Sequence, residues 1–142
     1  MITTLTGDDL VRCAALYTAT FNAPPWSESW RAGDALQRLT DFLDTPRSTG
    51  VCLSTPDGEL LGFALGHTER AGADDHFLLQ EMCVSPAVQR HGHGTALLAA
   101  LADRLPAVRG WYLLTARGGP AAAFYERNGF RPAGRMAVFV RN

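Results

Sequence analysis

Residues 84–95 read Val84-Ser85-Pro86-Ala87-Val88-Gln89-Arg90-His91-Gly92-His93-Gly94-Thr95 and join a predicted strand to a predicted helix through two glycines. Glycine lets a backbone approach a ligand closely, and the unpaired amides at the start of a helix present positive partial charge. The stretch therefore has the outline of a phosphate-binding turn. The alternative is that both glycines serve only turn geometry, which is their more common use.

The elements on either side of this turn alternate between strand and helix. Residues 77–84 form an apolar strand candidate, and residues 95–105 place leucines on one side of a helix. A strand is predicted over 111–115, a helix opens at Pro120 and ends near Gly129, and a last strand is predicted over 136–140.

The N-terminal half begins with two predicted helices. Thr6 and Asp9 form a capping box for a helix over 8–20, and Ser29 can cap the second helix. Residues 51–53 and 60–65 flank the turn Pro56-Asp57-Gly58, which predicts an antiparallel hairpin. Residues 66–75 are polar and contain glycine, so we expect a flexible loop there.

The order of these elements is α-α-β-β-β-α-β-α-β, and a short N-terminal strand is compatible with it. That order predicts one α/β domain over residues 1–142, with helices packed against a sheet. The chain has 142 residues, a net charge of −1 and a 46% hydrophobic share, which fit a single folded domain and argue against a basic nucleic-acid arm.

Several function classes are excluded by what the chain lacks. All 13 basic residues are arginine, so no lysine can bind a nucleotide phosphate, form a Schiff base or act as a base. The N-terminus has no signal-peptide pattern and no apolar run is long enough to span a bilayer, so we expect a cytoplasmic protein that binds neither membrane nor nucleic acid. The three cysteines, widely spaced, suggest neither a disulfide framework nor a zinc site.

Two other phosphate-binding motifs fail on the same residues. A Walker loop needs Gly-Lys-Ser/Thr, and a dinucleotide fingerprint needs three glycines and a later acidic residue. The stretch instead resembles motif A of the GNAT superfamily of acyl-CoA-dependent N-acyltransferases, whose Arg/Gln-x-x-Gly-x-Gly/Ala pattern is matched by Gln89, Gly92 and Gly94.

A second match supports the same resemblance. Residues 121–130, Ala-Ala-Ala-Phe-Tyr-Glu-Arg-Asn-Gly-Phe, resemble motif B of that superfamily, and Tyr125 lies 125 − 94 = 31 positions after Gly94. One departure is Gly118, which stands where the superfamily often has Asn and puts one polar contact to the pantetheine arm in doubt. The resemblance implies a mixed, mostly antiparallel GNAT-type sheet with helices on both faces.

The resemblance also implies that acetyl-CoA is the acyl donor and that no metal is needed. The acyl end would lie beside residues 82–84, and the pyrophosphate would lie on the backbone of the turn, where His91 and His93 are not expected to act as bases. The implied coenzyme contacts are Met82, Cys83, Val84, Gln89, Arg90, His91, Gly92, His93, Gly94, Thr95 and Ala122.

Acyl transfer from a thioester needs stabilisation of an oxyanion and a proton for the leaving thiolate. We expect the backbone N–H of Val84 to polarise the thioester carbonyl. Tyr125 is the expected general acid, because a phenol with a reference pKa of about 10 can protonate a thiolate without being ionised at neutral pH. The alternative is that Tyr125 only packs in the core.

An alkylammonium acceptor must lose a proton before it attacks, because its reference pKa is about 10.4. Glu81 is the expected base, since it is the only acidic residue in 77–84 and lies three residues before Val84. A water chain is the alternative base. Strand parity is uncertain by one position, so Glu81 can equally be a solvent-facing strand residue.

Three residues are candidates for binding the acceptor: Trp26, Glu28 and Trp30. Two tryptophans and an acid suit an amine-bearing molecule, and the carboxylates of residues 69–75 would favour a cation. The alternative is that the tryptophans anchor a helix and the acids are only solvated. Trp26 and Trp30, together with residues 80–84, are similar to the small-molecule branch that includes aminoglycoside N-acetyltransferases.

Two functions remain open from the sequence. The first is an acetyl-CoA-dependent N-acetyltransferase acting on a primary amine of a small molecule or peptide, by direct attack in a ternary complex. The second is a non-catalytic acyl-CoA-binding or sensing module. The residues leave open the acyl chain length and the oligomeric state, a homodimer included.

Overall fold

The computed structural model describes residues 1–142 and begins with a short strand, β1 (Ile2–Thr4). A single 3-10 turn follows, in which the predicted capping box of Thr6 and Asp9 forms, with the Thr6 N–H donating to Asp9 at 2.9 Å. Two helices come next, α1 (Leu10–Phe21) and α2 (Ala32–Leu43). The expected cap of α2 was wrong by two residues, because Arg31 and not Ser29 precedes the helix.

A five-stranded sheet forms the centre of the molecule, in the order β1-β2-β3-β4-β5. The other strands are β2 (Ser48–Ser54), β3 (Leu60–Ala71), β4 (Asp74–Val84) and β5 (Val108–Tyr112). The first four strands pair antiparallel, and β5 runs parallel to β4. The last two helices are α3 (His93–Asp103) and α4 (Pro120–Arg127).

The sheet separates two cores, which confirms the predicted placement of helices on both faces. One core packs α1 and α2 against residues such as Phe63, Leu65 and Cys83. The other packs α3 and α4 against Phe77 and Leu79, among others. None of the helices combines the length and the apolar character needed to cross a bilayer.

The loop predicted over residues 66–75 was wrong, because most of it belongs to strands. Pairing continues through Arg70↔Asp75 to Ala71↔Asp74, so Gly72 and Ala73 form the turn. Gly72 has φ +66°, a left-handed conformation that favours glycine in tight hairpin turns. The polarity that suggested a loop has a different cause: this end of the hairpin is largely exposed, and Asp75 forms an ion pair with Arg47 at 2.6 Å.

The predicted strand over 136–140 does not form. Phe139 is 94% exposed, and Met136, Val138 and Val140 are also exposed. The only main-chain hydrogen bond of residues 131–142 is a local one, from the Met136 N–H to the Ala133 carbonyl at 3.4 Å. A short run of apolar and β-branched residues favours a strand, but a strand needs a neighbouring strand to pair with, and this segment has none.

A β-bulge in β4 changes which side chains face which core. Leu65 pairs with Glu81 and the next residue, Gly66, pairs with Leu79, so Gln80 is the extra residue. Phe77 and Leu79 face α3, and without the bulge Glu81 would follow them. With it, Met82 and Val84 pack on the α3 face, whereas Glu81 reaches Tyr17 of α1.

Candidate active site

A cleft opens where β4 and β5 separate. Their parallel pairing ends at Leu78↔Tyr112, whereas β4 continues to Val84. The strand predicted over 111–115 therefore ends early, and Leu113, Leu114 and Thr115 line the far side of the opening. The other lining residues are Thr20, Phe21, Trp26, Leu79, Gln80, Glu81, Met82, Cys83, Val84, Gln89, Ala121 and Tyr125.

One side of the cleft, which we call the coenzyme wall, consists of the β4 edge at residues 82–84 and the turn 89–95. The Ser85 N–H donates to the Leu61 carbonyl of β3 at 2.7 Å. Successive strand residues direct their amides to opposite edges, so the Val84 N–H faces the cleft. The Gln89 side-chain amide donates to the Val84 carbonyl at 3.0 Å and joins the turn to the strand edge.

The turn itself has the geometry of an anion site. Gly92 has φ +78° and caps α3, which begins at His93 and therefore two residues earlier than predicted. The first amide bonded inside the helix is that of Ala96, which donates to Gly92, so the amides of residues 93–95 have no acceptor within the helix. Arg90 is exposed with φ +69°, and Thr95 is exposed as well.

Gly94 has a packing role that the sequence did not reveal. A Cβ at this position would lie 2.8 Å from the Phe124 ring and 3.2 Å from Met82 Cε. The missing side chain thus lets α3 approach α4 and β4 closely. The rings of His91 and His93, both in the turn, are arranged edge to face with their centroids 6.1 Å apart.

Tyr125 extends from α4 into the cleft. Its ring packs against Phe124 and Phe130, with centroids 5.3 Å and 5.6 Å away. Burial, with a smaller contribution from the charge of Glu81, raises the pKa of Tyr125 to about 12. The phenol is therefore protonated at neutral pH, as a proton donor must be. Ala121, and not the predicted neighbour Ala122, lines the cleft from the same helix.

The opposite side of the cleft is lined by Thr20 and Glu81, and Tyr17 and Arg38 hold Glu81 from behind; we call these four residues the acceptor wall. Glu81 Oε1 accepts hydrogen bonds from Tyr17 Oη at 3.2 Å and from Arg38 Nε at 2.6 Å. Both bonds end on Oε1, which leaves Oε2 for a ligand. Burial raises the pKa of the Glu81 carboxyl, although the hydrogen bonds from Arg38 and Tyr17 act to lower it.

Three of these four residues were not predicted from the sequence. Arg38 carried a signal, because it follows Ala35 and precedes Phe42 on the apolar side of α2, where an arginine is out of place. Its guanidinium lies 4.7 Å from the Phe42 ring centroid. Tyr17 and Thr20 carried none, because they look like ordinary residues of a helix face.

The three expected acceptor-binding residues are not together. Trp26 lines the cleft and packs edge to face on Phe21 at 5.2 Å. Trp30 packs on Tyr17, with ring centroids 5.1 Å apart, as a residue that anchors a helix would. Glu28 is exposed and accepts the Trp30 indole N–H at 2.7 Å in a second, shallow depression, from which its charge adds to the effect of burial and helps to raise the pKa of Glu81.

Sequence comparison gives the class of the protein. The family model for the acetyltransferase (GNAT) domain matches residues 48–132, more than half of the chain. The chain belongs to the GNAT acetyltransferase family, which confirms the resemblance drawn from motifs A and B as to family. No curated protein sequence matches the chain.

Solved structures confirm the fold. A possible acetyltransferase from Clostridium difficile is 15% identical with a TM-score of 0.80, over 100% of this chain and 97% of that one. Ribosomal-protein-alanine N-acetyltransferase from Brucella melitensis biovar Abortus is 16% identical, with a TM-score of 0.76 over 100% and 99%. An aminoglycoside acetyltransferase from an uncultured soil metagenomic sample, in complex with sisomicin, is 15% identical, with a TM-score of 0.72 over 100% and 94%.

Proposed function

We propose that this protein transfers an acetyl group from acetyl-CoA to a primary amine of a small molecule or peptide, by direct attack in a ternary complex. The observation that carries the proposal is that Glu81, Tyr125 and the β4 edge at Val84 line one cleft. A proton acceptor, a proton donor and a main-chain N–H are the three groups that acyl transfer from a thioester requires.

The coenzyme wall suits acetyl-CoA. The free amides at the start of α3 can hold the pyrophosphate without any lysine, and the apolar cleft beside Met82 can take the pantetheine arm. Arg90 adds a positive charge at the mouth of the turn. The Gly118 departure lies in the loop before α4, outside the turn 89–95, and leaves this phosphate site intact.

The proposed reaction begins with deprotonation of the acceptor amine and ends with protonation of the leaving thiolate. The alkylammonium acceptor loses one proton to Glu81, directly or through a water chain, and Glu81 passes this proton to solvent. The neutral nitrogen attacks the thioester carbonyl carbon, and the Val84 N–H stabilises the oxyanion. The C–S bond breaks, Tyr125 protonates the thiolate, and the second proton of the new amide nitrogen restores the phenol.

The pKa values of the two side chains favour these roles. A carboxyl whose pKa is raised by burial accepts a proton more readily than an ordinary glutamate does. A tyrosine whose pKa is about 12 is fully protonated at neutral pH, so a proton is available for the departing thiolate. The thiolate is the weaker base of the two, and the transfer is completed because the product nitrogen gives its extra proton to the phenolate.

The test is release of free coenzyme A thiol from acetyl-CoA in the presence of a panel of primary amines. The panel contains alkylamines, arylalkylamines, a polyamine, sisomicin and a peptide with N-terminal alanine. We expect release with at least one amine, and Tyr125→Phe should lower kcat about 100-fold, because it removes the proton donor.

Tyr112→Phe is the matched control, since that tyrosine is exposed and hydrogen-bonded to Glu69 outside the cleft. Its kcat should equal that of the wild type. Binding of coenzyme A with no thiol release for any amine would contradict the proposal and support the acyl-CoA-binding module.

A further inference from the structure

The hydroxyl of Thr20 is a buried polar group without a partner. Thr20 is 2% exposed, and its Oγ1 is the only fully buried side-chain oxygen or nitrogen in the protein that makes no hydrogen bond. A buried hydroxyl without a hydrogen bond is destabilising, so such groups are rare and call for an explanation.

Other threonines in or just after the two N-terminal helices satisfy their hydroxyls locally. Thr18, Thr40 and Thr45 each donate to the carbonyl four residues earlier, at 2.9 Å, 2.7 Å and 3.0 Å. For Thr20 that carbonyl belongs to Leu16, which is approached instead by the Cys83 thiol at 3.9 Å. Cys83 lies close to Thr20 but gives its hydroxyl no hydrogen bond of acceptable geometry.

The position of Thr20 in the cleft is informative. Tyr17 of α1 contacts Glu81, and Thr20, about one turn later, lies beside Cys83, so α1 follows β4 from Glu81 toward Val84. Thr20 lines the cleft together with Glu81 and Val84. The attacking nitrogen has to lie between the base and the thioester carbonyl, which is the stretch that Thr20 covers.

We infer that Thr20 Oγ1 and Glu81 Oε2 each accept a hydrogen bond from one of the two N–H groups of the neutral acceptor amine. Thr20 is then a positioning residue that selects unhindered primary amines. This inference rests on the proposed function. A neutral primary amine has two N–H donors and one lone pair. Once both donors are held on the acceptor wall, the lone pair has one direction left, toward the thioester carbon.

A secondary amine cannot satisfy this arrangement. It has a single N–H, so either Thr20 or Glu81 stays unpaired, and its extra methyl group also needs room in a cleft that Phe21 and Trp26 line. Loss of one hydrogen bond from a buried polar group is a strong basis for discrimination between substrates. The acceptor is therefore a primary amine, whose nitrogen carries only one carbon substituent.

The test compares kcat/KM for the fastest primary amine of the panel and for its N-methyl counterpart. Wild-type protein should favour the primary amine by at least about tenfold. Thr20→Val, which has nearly the same shape without the hydroxyl, should lower kcat/KM for the primary amine about tenfold and leave the N-methyl amine nearly unchanged. Thr20→Ser keeps the hydroxyl and should retain the wild-type ratio.

Two further readouts separate positioning from a structural role. Affinity for coenzyme A should be equal in all three proteins. The Tm of Thr20→Val should be equal to or above that of the wild type, because an unpaired buried hydroxyl is removed. A structural hydroxyl would instead give a lower Tm.

The outcomes distinguish this inference from the proposed function. Acetyl transfer with an unchanged primary-to-secondary ratio in Thr20→Val would overturn the role of Thr20 and leave the acetyltransferase intact. Absence of thiol release by the wild type with every amine would overturn both.

Discussion

The two walls of the cleft present different chemical groups. The coenzyme wall uses main-chain groups: the β4 edge at Val84, and the amides at the start of α3 behind Gly92. The acceptor wall uses side chains that come from α1, α2 and β4, namely Tyr17, Thr20, Arg38 and Glu81. The proposed function accounts for this difference: the phosphates are the same in every acyl-CoA, so backbone groups would suffice for them, whereas side chains would distinguish one acceptor from another.

The contrast also explains how tolerant each wall should be. A main-chain site is sensitive to steric changes in the residues around it and indifferent to most side chains in it. A side-chain site depends on the identity of each member and on the charge of its neighbours. Three substitutions test this difference, one at the bulge between the walls and one in each wall.

The largest effect is expected at Gly66, because this residue lies at the bulge on which both walls depend. A Cβ on Gly66 would overlap the Leu78 carbonyl oxygen and lie 2.7 Å from the Phe77 ring. The clash involves backbone and a fully buried ring, so Gly66→Ala should lower the free energy of unfolding by about 3 kcal/mol or more. Urea-induced unfolding measures the change.

Gly33→Ala is the control for that measurement. Gly33 lies in α2, and a Cβ there would meet no atom within 4 Å, so alanine should raise the free energy of unfolding by about 0.5–1 kcal/mol. Equal stability of Gly66→Ala and the wild type would show that the β3–β4 register adjusts easily, and the bulge would then not hold Glu81 in place.

The second effect concerns the coenzyme wall alone. Gly94→Val would drive a side chain into Phe124 and Met82 and move the start of α3 away from the β4 edge. We expect affinity for coenzyme A to fall about 100-fold, which corresponds to about 2.7 kcal/mol. Isothermal titration calorimetry measures it.

The matched control for this substitution is Gly33→Val, remote from the cleft, which should bind coenzyme A as the wild type does. Unchanged affinity in Gly94→Val would remove motif A from the account of the coenzyme wall. Residual acetyl transfer by Gly94→Val at saturating acetyl-CoA should still favour primary amines, because the acceptor wall is untouched.

The smallest effect concerns the charge of the acceptor wall. Arg38 acts to lower the pKa of Glu81, so Arg38→Met should raise that pKa further. Glu81 works as a base only when ionised, and activity therefore falls as the pH drops through its pKa. The acid limb of the kcat/KM profile should therefore move to higher pH, with kcat/KM on the alkaline plateau changed less than in the two variants above.

Arg31→Met provides the comparison for the pH profile, since Arg31 pairs with Asp34 on the exposed side of α2. Its acid limb should coincide with that of the wild type. An unshifted limb in Arg38→Met would mean that Glu81 is not the base, and a water chain would then remain as the route for the proton.

The residues that were predictable are those whose role is local. The turn 84–95 and the order of α3, β5 and α4 follow from glycines, prolines and apolar spacing within short stretches. The wrong predictions concern segments whose structure depends on residues distant in the sequence. Residues 66–75 join a hairpin although they are polar, and residues 136–140 form no strand although they are a continuous apolar run.

The candidate site divides in the same way. The coenzyme contacts could be proposed from a motif because one continuous stretch supplies most of them. Glu81 could be suspected but not oriented, since a single extra residue at Gln80 reverses the face on which it lies. Thr20 could not be suspected, because its distinguishing property is the absence of a hydrogen bond, which is visible only in the packed molecule.

The sequence by itself therefore determined the family, the class of fold and the main-chain geometry of the turn 84–95, because glycine conformations and helix starts depend on neighbours in the chain. Only the tertiary structure decided that β5 leaves β4 at Tyr112, that Glu81 faces Tyr17 and Arg38, and that Thr20 has no partner. These features depend on contacts between residues up to 64 positions apart, as Tyr17 and Glu81 are, and such contacts exist only once the chain has packed.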